Sequence, residues 1–187
     1  TLTVLVQGDE PLSYQWYFNE TNSLSDATNA TLLLANVSPD QSGFYQVVVS
    51  NPYASITSAP ASLLVSKAPV ILSEPQSQTV LAGTNVEFVV SATGFPNPNY
   101  QWFLNGTNHL SENDSTLTLT NVQEGGEYSV VVSNIAGSVV STSAVLVVLH
   151  PAIILEQPQD ITCLEGETIF LTVTAGGEQP LHYQWFA

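Results

Sequence analysis

Between Val86 and Ala92 the chain alternates, with Val86, Phe88, Val90 and Ala92 on one side and Glu87, Val89 and Ser91 on the other. A period of two puts successive side chains on opposite faces of an extended backbone, so the segment reads as a strand with one face buried. The same signature recurs. Leu117 and Leu119 oppose Thr116, Thr118 and Thr120; Tyr128, Val130 and Val132 oppose Ser129, Val131 and Ser133; Ala144, Leu146 and Val148 follow. Pro69–Val80 reads as an extended, proline-bounded lead-in and Tyr100–Leu104 as a further strand, closed by Asn105-Gly106, a dipeptide suited to a tight hairpin. Gly94–Asn99 and Asn134–Gly137 read as turns. No segment shows a helical period. Short alternating strands separated by turn residues predict an all-β sandwich.

The pattern is also an internal repeat. SYQW ends at Trp16, NYQW at Trp102 and HYQW at Trp185, each with a glycine eight residues upstream at Gly8, Gly94 and Gly177. Tyr45 and Val47 follow the first tryptophan, and Tyr128 and Val130 the second. Gly83 with Gly166, and Pro75 with Pro158, give a period of 83 residues. The expected division is 1–66, a copy without its first strand and the start of its second; 67–149, one whole copy; and 150–187, the first strands of a third. The chain thus reads as a window on a longer tandem protein. The first copy repeats the pattern through Leu2, Val4 and Val6, Leu32 and Leu34, Val49, and Ala61, Leu63 and Val65. The third does so through Ile169, Leu171, Val173 and Ala175.

These copies resemble immunoglobulin-like domains of the intermediate type. That family places Gly-x-φ-x-φ-x-Cys on its second strand, Trp on the third, Leu-x-Leu on the fifth and Asp-x-Gly-x-Tyr-x-Cys on the sixth. Gly83, Val86, Phe88, Trp102, Leu117, Leu119 and Tyr128 match. The resemblance implies tandem Greek-key sandwiches whose core holds Val4, Trp16, Tyr45, Val47, Val90, Trp102, Tyr128, Val130, Val173 and Trp185, with a tyrosine-corner hydroxyl on both Tyr45 and Tyr128. The chain departs from the family at the cysteines: Val90 and Val130, like Val4 and Val47, stand in their places, so no copy has an internal disulfide. The loop before Tyr128 is also two residues shorter than that before Tyr45. Copies of this cysteine-free kind are similar to tandem domains in large secreted proteins of environmental bacteria such as planctomycetes and verrucomicrobia.

A bridge closing a loop of about 40 residues would contribute roughly 4 kcal/mol. One buried valine contributes roughly 1.5–3 kcal/mol. Two facing valines beside the tryptophan therefore offset much of the loss.

Charge narrows the function. One Lys or Arg stands against sixteen Asp and Glu, for a net charge of -15, yet charged residues are only 9% of the chain. Nucleic-acid binding needs cations to displace counterions, and Lys67 is the sole candidate, so nucleic acid and anionic membrane surfaces are excluded as partners. A surface of Ser, Thr, Asn and Gln fits an extracellular or cell-surface protein. No apolar run reaches membrane-spanning length.

The reactive residues are sparse. Glu112, Asn113 and Asp114 share a loop, and Glu124 and Glu127 flank the tyrosine turn, but none forms a recognised calcium loop; they read as solvated carboxylates. His109, His150 and His182 occupy non-equivalent positions, whereas a site encoded by the repeat would recur. Cys163 aligns with Val80 and reads as a small buried hydrophobe, with an intermolecular bridge as the alternative. Sequons start at Asn19, Asn29, Asn36, Asn105 and Asn113, with Asn36 weakened by the Val-Ser-Pro that follows it; in a eukaryotic host the other four would suggest glycans, whereas in a bacterium most would be bare. Of the aromatic residues outside the core pattern, Tyr17, Phe18, Phe103 and Phe186 follow their tryptophans, whereas Tyr53 and Phe95 do not recur and are the contact candidates. No nucleophile motif, phosphate loop or zinc spacing is present, so neither catalysis nor a cofactor is expected.

Two functions of different kinds remain. In the first, short proline-bounded joins at Ser66–Pro69 and Leu149–Pro151 make a semi-rigid spacer or surface-fibre block, whose partners are neighbouring domains of the same chain and, through strand edges, other copies. In the second, loops at one end recognise a surface glycan or a protein. An accessory region of a secreted enzyme is a further alternative.

Overall fold

The computed structural model describes residues 1–111 and 113–186. The first copy contains β1 (Leu2–Thr3), β2 (Ser13–Phe18), β3 (Asn22–Ser23), β4 (Thr31–Leu32), β5 (Gly43–Ser50), β6 (Ser55–Thr57) and β7 (Ala61–Leu63). The second contains β8 (Lys67–Ser73), β9 (Gln78–Leu81), β10 (Val86–Val89), β11 (Ser91–Phe95), β12 (Asn99–Leu104), β13 (Asn108–His109), β14 (Thr116–Leu119), β15 (Gly126–Asn134), β16 (Gly137–Val140) and β17 (Ala144–Leu149). β18 (Ile153–Glu156) and β19 (Thr174–Gly176) follow in the third. Among the described residues a 3-10 turn at Pro39–Gln41 interrupts this all-β order; no helical period announces it.

In the second copy one sheet runs β13-β12-β15-β17-β9, with β16 also on β15. The facing layer is built from the pairs β10-β14 and β11-β8. The first copy repeats this with β3-β2-β5-β6, β7 on β5, and the pair β1-β4. The lead-in expected as one extended piece is two strands. β8 pairs with β11 on one layer, whereas β9 lies parallel to β17 on the other, Gln78 opposite Leu146 and Leu81 opposite Leu149. The lead-in therefore changes layers between Ser73 and Gln78. Glu74 and Ser77 make that step, accepting the Thr142 and Val145 N–H groups at 3.0 and 2.9 Å. The expected join at Ser66–Pro69 falls largely inside β8.

The chain divides into two compact units: Thr1–Pro69 with 94–98 and 134–137, and Val70–Thr93 with 99–133 and 138–187. The first has a core of Trp16, Leu32, Tyr45, Val47 and Val49, against which Val4 packs half-buried. The second centres on Val86, Phe88, Val90, Trp102, Leu117, Tyr128, Val130, Val132 and Leu146, with Trp102 and Val130 wholly inaccessible. Each tryptophan faces a valine across the sheet, Trp16 opposite Val47 and Trp102 opposite Val130. The indole N–H groups donate to the Asn29 and Asp114 carbonyls, both at 2.9 Å.

Three expectations are corrected. Trp185 is 50% exposed and Val173 only half-buried, because the described strands of the third copy, β18 and β19, pair only with each other and supply no facing sheet. Ile153, Ile154, Val173, Tyr183 and Trp185 instead line an open cleft of about 340 Å³. Cys163 is exposed for the same reason: its equivalent Val80 sits opposite Val148 of β17, and no described strand takes that place beside Cys163. The tyrosine corner forms in the first copy, where the Tyr45 hydroxyl donates to the Gln41 carbonyl at 2.8 Å. The shorter loop before Tyr128 makes no equivalent turn and offers no such acceptor among the described residues.

Candidate interaction surfaces

The hairpin after each tryptophan strand is built by residues with a second task. Asn19 and Asn105 adopt positive φ of 49° and 52°, a conformation asparagine tolerates better than most residues. From there each side-chain oxygen accepts a backbone N–H of the neighbouring strand: Phe44 N–H to Asn19 at 3.0 Å and Glu127 N–H to Asn105 at 2.9 Å. The two asparagine N–H groups return bonds to the same residues' carbonyls at 2.8 and 2.7 Å. These sequon asparagines are thus built into the fold by their side chains. The approach also requires glycine opposite. A Cβ on Gly43 would lie 2.5 Å from the Asn19 oxygen, and one on Gly126 would lie 2.5 Å from Leu104 Cδ1.

Glutamine in the tryptophan motif is a second fastener. Gln15 Nε2 donates to the carbonyls of Trp16 and Leu24, and Gln101 Nε2 to those of Trp102 and Leu110, at 2.7–3.1 Å. Ser58 and Ser141 complete the set: each hydroxyl accepts the N–H of the valine facing the tryptophan, at 3.1 and 3.0 Å, and donates onward to the next carbonyl. Sequence reasoning missed these roles. Their signal was recurrence at equivalent positions of the repeat, which the apolar pattern alone does not reveal.

The remaining sequons, Asn29, Asn36 and Asn113, are exposed. Glu112 lies outside the described residues. Asn113, Asp114, Glu124 and Glu127 are exposed, and among the described residues no three His, Cys, Asp or Glu side chains converge on a common point. His109 packs on Phe103, the ring centres 4.6 Å apart. His150 Nε2 lies 3.1 Å from the Gln123 carbonyl, and His182 is exposed in the third copy.

The two contact candidates sit in loops of different copies. Tyr53, 82% exposed, rides a turn that the Asn51 side chain organises by accepting the N–H groups of Tyr53 and Ala54, both at 3.0 Å. Phe95 ends β11, half-buried, before a cis peptide to Pro96. The Asn134 amide ties that loop down, donating to the carbonyls of Pro96 and Lys67 at 2.9 and 2.8 Å.

A family model described as "Immunoglobulin domain" matches residues 1–51 and 68–134, well over half of the chain. The chain belongs to the immunoglobulin-domain family. Mouse leucine-rich repeats and immunoglobulin-like domains protein 3 is 28% identical over 99% of this chain and 19% of its own length. Human cell adhesion molecule DSCAM is 29% identical over 97% of this chain and 10% of its own, and mouse hemicentin-1 is 28% identical over 84% and 3%. The chain thus spans a fifth or less of these curated relatives. Among solved structures, a titin I-band fragment superposes with a TM-score of 0.60 at 20% identity, covering 93% of this chain and 68% of that one. Sidekick-1 immunoglobulin domains 1–4 give 0.58 at 20%, covering 95% and 52%. At that identity the likeness speaks to fold alone.

A groove of about 450 Å³ lies beside β14, lined among others by Leu110, Leu117, Leu119, Val122, Glu124 and Tyr128. Burial raises the Tyr128 hydroxyl above its ordinary pKa, as it does that of Tyr45, so both are neutral donors at physiological pH. Among the described residues no helix is long and apolar enough to cross a membrane.

Proposed function

We propose that this segment is a non-catalytic, extracellular stretch of tandem immunoglobulin domains that acts as a semi-rigid spacer or surface-fibre block in an adhesive protein. We place the domain boundaries after Ser66 and after Leu149. The observation that supports this reading is the repetition of one set of fasteners, from Gln15 and Gln101 to Ser58 and Ser141, around cores closed without sulfur. Such cores fold without an oxidant and join by only a few residues between strands, from Leu63 to Lys67 and from Leu149 to Ile153. The name of one relative, a cell adhesion molecule, supports the adhesive part. The cysteine-free copies support a source among secreted bacterial proteins. Electron microscopy of the native particle tests the structural role: ordered fibres or straight stalks are expected, and isolated flexible particles would overturn it.

A second reading, recognition of a glycan or protein through loops, is favoured by the exposure of Tyr53. A glycan array that loses signal on Tyr53→Ala would move the assignment toward it.

A further inference from the structure

β14 pairs with β10 and with no other strand among the described residues. Its register sets Phe88 opposite Leu117 and Val86 opposite Leu119, and the Val90 N–H bonds the Ser115 carbonyl at 2.9 Å. Ser115, Leu117 and Leu119 therefore occupy the positions that bond to the strand of Val86–Val90. In an antiparallel pair the intervening residues turn their backbone groups the other way. The N–H and C=O groups of Thr116 and Thr118 thus point out of the sheet. Strand edges are normally blunted by lysine, proline or a bulge; Thr116–Thr120 contains neither residue, and the β10–β14 register is unbroken. Residues 110–115, which connect β13 to β14, form no strand beside it among those described.

The groove lies along this edge, and loop length distinguishes the two copies. In the first, the longer loop makes a 3-10 turn and Gln41 engages the tyrosine hydroxyl. In the second, the shorter loop makes no such turn, and Tyr128 lines the groove with Leu110, Leu117, Leu119 and Val122. A groove of mixed polar and apolar lining beside outward-facing backbone groups suits an added strand: main-chain pairing for affinity, and alternate side chains set into the groove for specificity.

Charge selects the occupant. Glu87 lies directly opposite Thr118 on the outer face and is exposed, and Glu124 is exposed at the groove. At this edge a second copy of the same acidic chain would set like charge against Glu87 and Glu124 and is disfavoured there. We infer that the β14 edge takes up an extended, basic segment of another protein by strand addition. Its backbone pairs with Thr116 and Thr118, its inward side chains settle against the half-buried Leu110 and Leu119, and its outward Lys or Arg residues approach Glu87 and Glu124. This deepens the adhesive reading by naming a partner chemistry. The spacer role is tested separately by imaging, so failure of one leaves the other distinguishable.

The test is amide hydrogen exchange followed by NMR on the whole chain, with and without the peptide acetyl-Lys-Val-Lys-Val-Lys-Val-amide. Expected are slowed exchange at Thr116 and Thr118, and binding that weakens as salt rises from about 50 to about 200 mM. The acidic analogue, with Glu for each Lys, should not bind. Thr118→Pro removes an outward donor at an edge position, where proline is tolerated, and should weaken binding at least about tenfold. If that variant unfolds, Glu87→Lys with Glu124→Lys, both at exposed positions, should abolish binding while leaving the melting curve in place. Three results would overturn the inference: no binding, binding that leaves Thr116 and Thr118 exchange unchanged, or equal binding of the acidic analogue. Self-association through this edge, seen by sedimentation, would overturn it as well.

Discussion

Trp102 sits directly across the sheet from Val130, both without solvent access, and Ser141 holds the Val130 N–H from the other side at 3.0 Å. One aromatic ring, one aliphatic side chain and one hydroxyl thus replace what a disulfide does elsewhere in the family. The seal depends on volume, because a close-packed interior has nothing to move into a vacated indole site.

Trp102→Ala should therefore cost about 3–5 kcal/mol and unfold the second copy, as read by thermal melting followed through its strand signal. A melting curve matching the parent's would remove Trp102 from the centre of the core.

Ser141 is 9% exposed, and its hydroxyl is engaged as both acceptor and donor. Ser141→Ala leaves the Val130 N–H buried without a partner, at a cost of about 1–3 kcal/mol. Ser141→Thr, which keeps the hydroxyl, should recover part of it. Urea titration of the two variants separates the lost bond from a packing effect.

The two tyrosines should respond differently to loss of the hydroxyl. Tyr45→Phe removes the bond to Gln41 and should destabilise by about 0.5–1.5 kcal/mol, whereas Tyr128→Phe, with no such bond, should be near neutral. Equal effects would mean that Tyr128 has an acceptor.

Both hydroxyls are raised by burial, so the folded state holds these protons more tightly than the unfolded chain does. Their contribution is complete below the ordinary tyrosine value near 10 and is lost as pH climbs through the raised values. Stability should fall on the alkaline side, with tyrosinate absorbance at Tyr45 and Tyr128 developing above the ordinary tyrosine range. Replacing both by Phe should flatten that alkaline loss.

Asn105→Ala should cost about 1–2 kcal/mol, because it removes the acceptor for the Glu127 N–H and puts a Cβ-bearing residue without compensation at positive φ. Asn105→Gly relieves the backbone but not the lost bond and should fall between the parent and Ala. Hydrogen exchange at Glu127, faster in both variants, checks the cause.

Much of this architecture was readable from side-chain chemistry along the chain. Alternation at Val86–Ala92 and Tyr128–Ser133 specified the buried faces, because a strand's period of two is local. The recurring tryptophans marked the copies, and Asn105-Gly106 marked the hairpin, because positive φ is a property of the residue itself. Other features needed the third dimension. The lead-in's change of layer between Ser73 and Gln78 depends on which strands lie beside it. The groove at β14 depends on which side chains the fold brings beside Tyr128, from Leu110 to Glu124. A strand announces its own faces, but only its neighbours decide whether those faces and edges are covered.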